Sequence, residues 1–221
     1  MTLLQLYLNS VQHKSSHPLP LTAVSPNLFR QATNSVKNSK DNNDLLEFIG
    51  DRAVNLACAL LVDKEKVCPD QQIFVGRKIC NNDTLGRLAW WLELDEYAAL
   101  SPGDEHAIRT WSPRRKHDPP PKALADLFES FVGAYCLERG WPAVLSWLES
   151  FFKPLMELAT EDFLLRPSFK LPVYVSGWWR QRDGASISQT VYRQFCRFLD
   201  CKQESLASMG RVAVEAIPLS T

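Results

Sequence analysis

Two well-separated acidic segments contain the side chains best suited to carry out chemistry. In the segment NDLLEFIGDRAVN, Glu47 and Asp51 are four residues apart, so a helix places both carboxylates on one face. In the segment PPKALADLFESFVGAYCLERG, Asp126 and Glu129 are three residues apart and share a face in the same way. Each segment therefore predicts a helix that presents an acidic pair.

Acidic pairs on apolar helices indicate a bound cation. An ionised carboxylate is costly to desolvate unless a partner compensates its charge. Oxygen ligands favour Mg²⁺ or Mn²⁺, whereas zinc prefers sulfur and nitrogen ligands. If the two helices pack together, their four carboxylates can hold metal against a phosphodiester, which is the arrangement that metal-dependent hydrolysis requires.

A simpler interpretation is that these acids are the solvent-facing residues of two ordinary amphipathic helices. The neighbouring residues argue against it, because apolar side chains surround both pairs. A glycine also lies inside each predicted helix, at Gly50 and Gly133. Glycine inside a helix costs about 1 kcal/mol relative to alanine and usually indicates the close approach of another backbone or a ligand.

These motifs resemble those of the ribonuclease III family. The stretch LLEFIGDRAVN resembles the family signature, and KALADLFESFVGA resembles its second acidic motif. Upstream, LFRQATNS resembles the first conserved helix, and GRKICNNDTLGRLAWWLEL resembles the helix that precedes the second half of the domain. The resemblance covers roughly residues 20–158.

The resemblance implies an all-α endonuclease domain that forms a homodimer and cuts double-stranded RNA. It implies products with 5′-phosphate and 3′-hydroxyl ends and short 3′ overhangs. The metal ligands would be Glu47, Asp51, Asp126 and Glu129, with Mg²⁺ as the cofactor and Mn²⁺ as a substitute. Asp51, Glu129 and Lys122 would be catalytic, the lysine through its charge. Alternatively, Lys122 is a solvated lysine at a helix start.

Length and composition fit one catalytic domain with an appendage. The 221 residues are 45% hydrophobic, which is ample for a single core. We predict an N-terminal segment at 1–19, a ribonuclease III catalytic domain at 20–158 and a basic, aromatic C-terminal appendage of uncertain structure at 159–221. No run of 18 or more apolar residues exists, so no membrane-spanning helix is expected.

The six cysteines have no metal-ligand spacing, which favours a reducing compartment. We therefore expect an intracellular protein, in the nucleus or cytoplasm. Residues 1–40 contain no Asp or Glu, which leaves the mitochondrion as an alternative.

The formal net charge is zero, so any attraction for a polyanion must be local. One candidate is the proline-rich loop before the second acidic motif, where Arg114, Arg115 and Lys116 are expected to contact RNA; alternatively, it is a solvated loop. A second is the stretch 166–202, with seven Lys or Arg, two Asp and several aromatic residues. That stretch either binds RNA or packs on the catalytic domain.

The homodimer prediction also has its own sequence motivation. The apolar stretch LEFIG, with Phe48, and the pair Trp90 and Trp91 are candidates for an interface, although each alternatively belongs to the core. Hydrophobic periodicity and capping residues predict the following helices: 3–12, 27–36, 44–63, 72–93, 104–110, 122–138, 141–158 and 190–201.

Two other classes of function remain open from sequence. One is a catalytically silent ribonuclease III-fold protein that binds RNA or associates with a ribosome, and the other is a structural dimerisation domain. Retention of all four acids favours the enzyme.

Overall fold

The computed structural model describes residues 2–10, 23–37, 39–65, 67–113 and 118–165. Within these ranges the regular structure is helical, apart from one isolated bridge between Asn34 and Ala99. A short 3₁₀ helix, Leu94–Tyr97, follows the fifth α-helix. The all-α prediction is therefore confirmed. The α-helices are α1 (Leu3–Ser10), α2 (Pro26–Ala32), α3 (Asp44–Lys64), α4 (Pro69–Ile79), α5 (Asn82–Trp91), α6 (Pro102–Thr110), α7 (Lys122–Arg139) and α8 (Trp141–Leu164).

Local sequence explains several of the helix ends. Prolines occupy the first turn of α2, α4, α6 and α8, where no backbone N–H is needed. The Ser101 side chain accepts a hydrogen bond from the backbone N–H of Asp104 and caps α6. Gly140 has a φ of 77°, a left-handed conformation that ends α7 and allows α8 to begin at the next residue.

The single helix predicted at 72–93 is wrong, because the chain forms α4 and α5 with a break at Cys80 and Asn81. The Asn81 side chain causes the break. Its oxygen accepts from the backbone N–H of Thr84 and starts α5, while its nitrogen donates to the carbonyls of Arg77 and Lys78 at the end of α4. The apolar periodicity continues across this break and hid it from sequence analysis.

The ends of two other helices differ from prediction by about four residues or more. The helix predicted at 27–36 ends at Ala32, since the chain then pairs with Ala99 through backbone hydrogen bonds from Ser35 and to Thr33. The helix predicted at 141–158 continues to Leu164, because buried residues such as Phe163 extend its apolar face.

Helix α7 lies at the centre of the core, and α3 and α5 pack most extensively against it. Its aromatic residues Phe128 and Phe131 are fully buried, and both rings contact Trp147 of α8. Trp90 and Trp91 also have aromatic neighbours, in Trp111 and Phe151 respectively. These two tryptophans therefore pack against the domain itself, as the core alternative predicted.

Two glycines allow α3 and α7 to cross with their backbones in contact. A Cβ atom added to Gly50 would lie 1.7 Å from the carbonyl oxygen of Glu129, and one added to Gly133 would lie 2.1 Å from that of Leu46. No side chain fits at either position, so the close approach expected for both glycines is confirmed. The crossing brings the acidic turn of α3 next to that of α7.

Several predictions fall outside the described residues. These are the RNA contacts of Arg114, Arg115 and Lys116, the predicted helix at 190–201 and nearly all of the C-terminal appendage. In the part of the chain that is described, no helix is both long enough and apolar enough to cross a bilayer.

Candidate metal centre

Three of the four predicted ligands meet where α3 crosses α7. Glu47 projects from α3, and Asp126 and Glu129 project from α7. One carboxylate oxygen from each residue lies within 4.8 Å of the others. We call these three residues the acidic group. Its members come from two helices, so the group exists only because the glycine crossing holds those helices together.

The three side chains of the acidic group differ in their exposure to solvent. Glu129 is only 9% exposed, whereas the Asp126 and Glu47 side chains are 20% and 30% exposed. A ligand therefore reaches the group from the side of Glu47 and Asp126, with Glu129 at its base. A site with one buried and two partly exposed carboxylates would displace part of the water around a bound ion and leave its other side open to substrate.

Burial and like charges make Glu129 hard to ionise. Desolvation is the largest cause, and the nearby carboxylates of Asp126 and Glu47 add to it, so that the pKa of Glu129 rises to about 7. Burial, followed by the charge of Asp126, also raises the pKa of Glu47. The group is thus short of positive charge at neutral pH.

Lys122 supplies part of that positive charge. Its Nζ donates to Asp126 Oδ1 at 2.5 Å and to Glu47 Oε1 at 3.4 Å. Burial alone would lower the pKa of Lys122, but its hydrogen bond to Asp126 and the two carboxylate charges raise it. Once all three carboxylates are ionised, one ammonium leaves two negative charges uncompensated, which a divalent cation would match.

Asp51 lies outside the acidic group, although it is one turn beyond Glu47 on α3. Arg52 Nη1 donates to Asp51 Oδ2. Asn55 Nδ2 donates to Asp51 Oδ1 at 2.8 Å and to the Asp51 carbonyl at 2.7 Å. Both carboxylate oxygens are therefore engaged by residues of the same helix.

The donor set of the acidic group fits a hard divalent cation. Its ligand atoms are all carboxylate oxygens, which suit Mg²⁺ or Mn²⁺ better than zinc. The raised pKa of Glu129 is a second indication. Burial and then repulsion from Asp126 and Glu47 make its ionised form costly, and a bound cation would remove that cost. When bound, the cation would supply Lewis-acid polarisation of a phosphoryl group.

Sequence analysis missed Arg52 and Asn55 as neighbours of Asp51. The signal was available, because Asn55 is four residues after Asp51 and therefore shares its helix face. Arg52 is likewise four residues after Phe48, and its guanidinium lies over that ring at 4.7 Å from the centroid.

A helical domain with an oxygen-only acidic group belongs to the general class of candidate metal-binding proteins. The family comparison is more specific. Residues 44–140 match the ribonuclease III domain family, a range that runs from the start of α3 to the end of α7 and includes the whole acidic group. The resemblance that the motifs predicted is therefore confirmed for residues 44–140.

Individual relatives agree with this assignment. The chain is 31% identical to ribonuclease 3 of Variovorax paradoxus (strain S110) over 150 residues, which are 62% of this chain and 62% of that protein. It is 34% identical to ribonuclease 3 of Halalkalibacterium halodurans over 121 residues, 54% of this chain and 43% of that protein. The chain spans somewhat over three fifths of the first curated relatives that it matches.

Solved structures of the nuclease domain of ribonuclease III from Campylobacter jejuni are also similar to this chain. One is 23% identical with a TM-score of 0.47, covering 72% of this chain and 98% of that one. Another is 22% identical with the same TM-score, covering 76% and 97% respectively.

Proposed function

We propose that this protein is an endoribonuclease that hydrolyses double-stranded RNA with Mg²⁺, or with Mn²⁺ as a substitute. The products would carry 5′-phosphate and 3′-hydroxyl ends. One observation carries the proposal: Glu47, Asp126 and Glu129 bring three carboxylate oxygens within 4.8 Å of one another inside a ribonuclease III domain. Oxygen ligands of this kind suit the cations that assist phosphodiester hydrolysis.

Each acidic residue has a role that follows from its position. Glu129 lies at the base and would hold the cation from below, while Glu47 and Asp126 would hold it from the accessible side. Asp51 would add a fourth carboxylate once its side chain turns toward Glu47. Lys122 keeps Glu47 and Asp126 in position through its two hydrogen bonds.

The protonation of Glu129 couples cation binding to pH. With a pKa of about 7, Glu129 is half protonated near neutrality in the cation-free protein. The protonated carboxyl must lose its proton to serve as a ligand, so cation binding would release protons. Activity should therefore rise as pH increases through 7 at a limiting Mg²⁺ concentration.

Cleavage of a long RNA duplex tests the proposal. The full-length protein is incubated with an end-labelled duplex in Mg²⁺ and in EDTA, and the product ends are analysed. We expect cleavage in Mg²⁺ only, with 5′-phosphate ends. Glu129→Gln should lower the rate by at least a hundredfold, because an amide cannot replace the anionic ligand.

A matched control separates loss of metal binding from a general loss of charge. Glu149 is a partly exposed glutamate on α8 that pairs with Lys64, so Glu149→Gln should cleave like the unchanged protein. Retention of duplex RNA without cleavage would instead support the catalytically silent, RNA-binding alternative.

We further propose that the protein forms a homodimer through the exposed face of α3. Leu45 and Phe48 are 62% and 59% exposed, and Leu56 and Leu60 continue the same apolar face. In the described part of the chain these side chains stay exposed, although the Arg52 guanidinium lies over the Phe48 ring. An exposed apolar surface of this kind usually marks an interface. Sedimentation at micromolar concentration measures the assembly, and a monomer there would contradict it.

We also propose that RNA contacts the loop before α7. The contacting residues would be Arg114, Arg115 and Lys116. Neutralising all three should reduce the salt dependence of duplex binding, because each phosphate contact contributes to that slope. A salt slope equal to that of the unchanged protein would remove the loop from the proposal. Deletion of 166–221 tests the C-terminal appendage in the same assay.

We place the protein inside the cell. The four cysteines in the described residues, Cys58, Cys68, Cys80 and Cys136, are free thiols, which agrees with a reducing compartment. Imaging of a fluorescent fusion tests this location, and secretion of the fusion would contradict it.

A further inference from the structure

Asp51 is held by two neighbours on its own helix rather than by the acidic group. Arg52 donates a hydrogen bond to one carboxylate oxygen of Asp51, and Asn55 donates to the other. Asp51 is also one helical turn from Glu47, on the same face of α3, so a change of its side-chain rotamer moves its carboxylate toward the group. Its present partners therefore compete directly with any role as a ligand.

Arg52 is well positioned to hold Asp51. Its guanidinium lies over the Phe48 ring at 4.7 Å from the centroid, which limits the freedom of a side chain that is 64% exposed. The charge of Arg52 also acts on the buried Glu129. Arg52 is thus a fixed positive charge at the edge of a site that is itself short of positive charge.

We propose that Arg52 competes with the divalent cation for Asp51, so that the cation gains Asp51 as a ligand only when the Arg52–Asp51 ion pair breaks. Arg52 is then a positioning residue that sets the cation concentration at which the site fills. This inference rests on the proposed function, because it requires a cation in the acidic group.

The size of the competition follows from the exposure of the pair. An ion pair between exposed side chains contributes little, because water and salt screen both charges. Loss of Arg52 should therefore tighten cation binding only about threefold to fivefold. The effect should shrink at high salt, where the pair is weaker.

Mn²⁺ binding by the full-length protein tests the proposal without RNA. Free Mn²⁺ is measured by electron paramagnetic resonance during titration of the unchanged protein and of Arg52→Gln. We expect Arg52→Gln to bind Mn²⁺ about threefold to fivefold more tightly. Arg109, an exposed arginine on α6, provides the control, and Arg109→Gln should leave the affinity unchanged.

A second background separates competition for Asp51 from a general effect of charge. In Asp51→Asn the ion pair is already absent, so adding Arg52→Gln should no longer tighten Mn²⁺ binding. Equal tightening in both backgrounds would show that Arg52 acts on the whole group by its charge, and would overturn the proposal. Unchanged or weaker binding by Arg52→Gln alone would also overturn it.

Failure of the proposed function gives a different result. If the unchanged protein binds no Mn²⁺, both the metal site and this inference fall; if it binds Mn²⁺ and Arg52→Gln binds no more tightly, only the inference falls. Should Asp51→Asn abolish measurable binding, a Mn²⁺-bound crystal structure decides. A broken Arg52–Asp51 pair supports the competition, and an intact pair overturns it.

Discussion

The inner and outer faces of α3 are built by different means. On the inner face, the backbone of α3 contacts the backbone of α7. A Cβ atom on Gly50 would overlap the carbonyl of Glu129, and one on Gly133 would overlap the carbonyl of Leu46. On the outer face, Leu45, Phe48 and Leu56 remain exposed. The chain itself fixes the first face, whereas the second is completed only by something added to it.

The predicted ligands on α3 are also positioned in two different ways. Glu47 lies beside the crossing and is brought to Asp126 and Glu129 by packing. Asp51 lies farther along α3 and is held by side chains of its own helix. Packing therefore accounts for three carboxylates of the candidate site, and the fourth depends on a local contact that a ligand can replace.

The largest effect should come from breaking the inner face. In Gly50→Ala the new Cβ would overlap the carbonyl of Glu129, and backbone atoms cannot move aside as a flexible side chain does. We expect the free energy of unfolding to fall by about 3 kcal/mol or more, beyond the usual cost of overpacking. Urea denaturation measures the change.

Gly76 provides the matched control. It lies inside α4, and an added Cβ would meet no atom within 4 Å. Gly76→Ala should therefore stabilise the protein, by about 0.4–1 kcal/mol. Equal effects of the two substitutions would contradict the close crossing of α3 and α7.

The next effect concerns the buried acid. Because the pKa of Glu129 is about 7 in the folded protein and 4.5 for a free carboxyl, the folded state binds more protons than the unfolded state between these values. Stability from this group is thus lost as pH rises from 4.5 to 7. We therefore compare the two proteins in EDTA, without a bound cation. Above pH 7, the free energy of unfolding of Glu129→Gln should be higher than that of the unchanged protein by roughly 2–3 kcal/mol.

Thermal unfolding at a series of pH values checks this prediction. The advantage of Glu129→Gln should disappear near pH 4.5, and Mg²⁺ should restore stability to the unchanged protein but not to the variant. Parallel pH profiles for the two proteins would show that Glu129 ionises normally.

A smaller effect is expected on the outer face. Phe48→Ser should weaken the proposed dimer by about 2 kcal/mol, the contribution of a buried aromatic side chain. Ile73 on α4 is 55% exposed, close to the 59% of Phe48, so Ile73→Ser tests whether any exposed apolar residue has this effect. Sedimentation equilibrium measures both, and equal dissociation constants would argue against an interface on α3.

The smallest effect should come from Lys122. Its side chain is mostly exposed, so its contacts with Glu47 and Asp126 are screened by solvent. Lys122→Gln should slow RNA cleavage about fivefold at a saturating Mg²⁺ concentration, because Glu47 and Asp126 lose the hydrogen bonds that position them. Lys64→Gln, which removes an exposed lysine paired with Glu149, should leave the rate unchanged; an equal loss would make the Lys122 effect non-specific.

The inner face was predictable from sequence because its requirements are simple. A glycine inside each acidic helix indicated close approach, and the crossing at Gly50 and Gly133 confirms it. Carboxylates three or four residues apart had to share a helix face. These inferences depend only on helix geometry and on the size of one residue type.

Other features were harder to predict, for physical reasons. The break between α4 and α5 depends on the side-chain hydrogen bonds of Asn81, which apolar periodicity does not reveal. The position of the Asp51 carboxylate depends on its rotamer and on competition among nearby partners. Whether Trp90 packs inward or faces a partner depends on tertiary neighbours that are distant in sequence.

The most direct test of the central claim is the anomalous scattering of a crystal grown with Mn²⁺. The account predicts a peak within coordination distance of carboxylate oxygens from Glu47, Asp126 and Glu129, and none there in crystals of Glu129→Gln. A well-ordered acidic group with no peak at saturating Mn²⁺, or a peak bound only elsewhere, would contradict it.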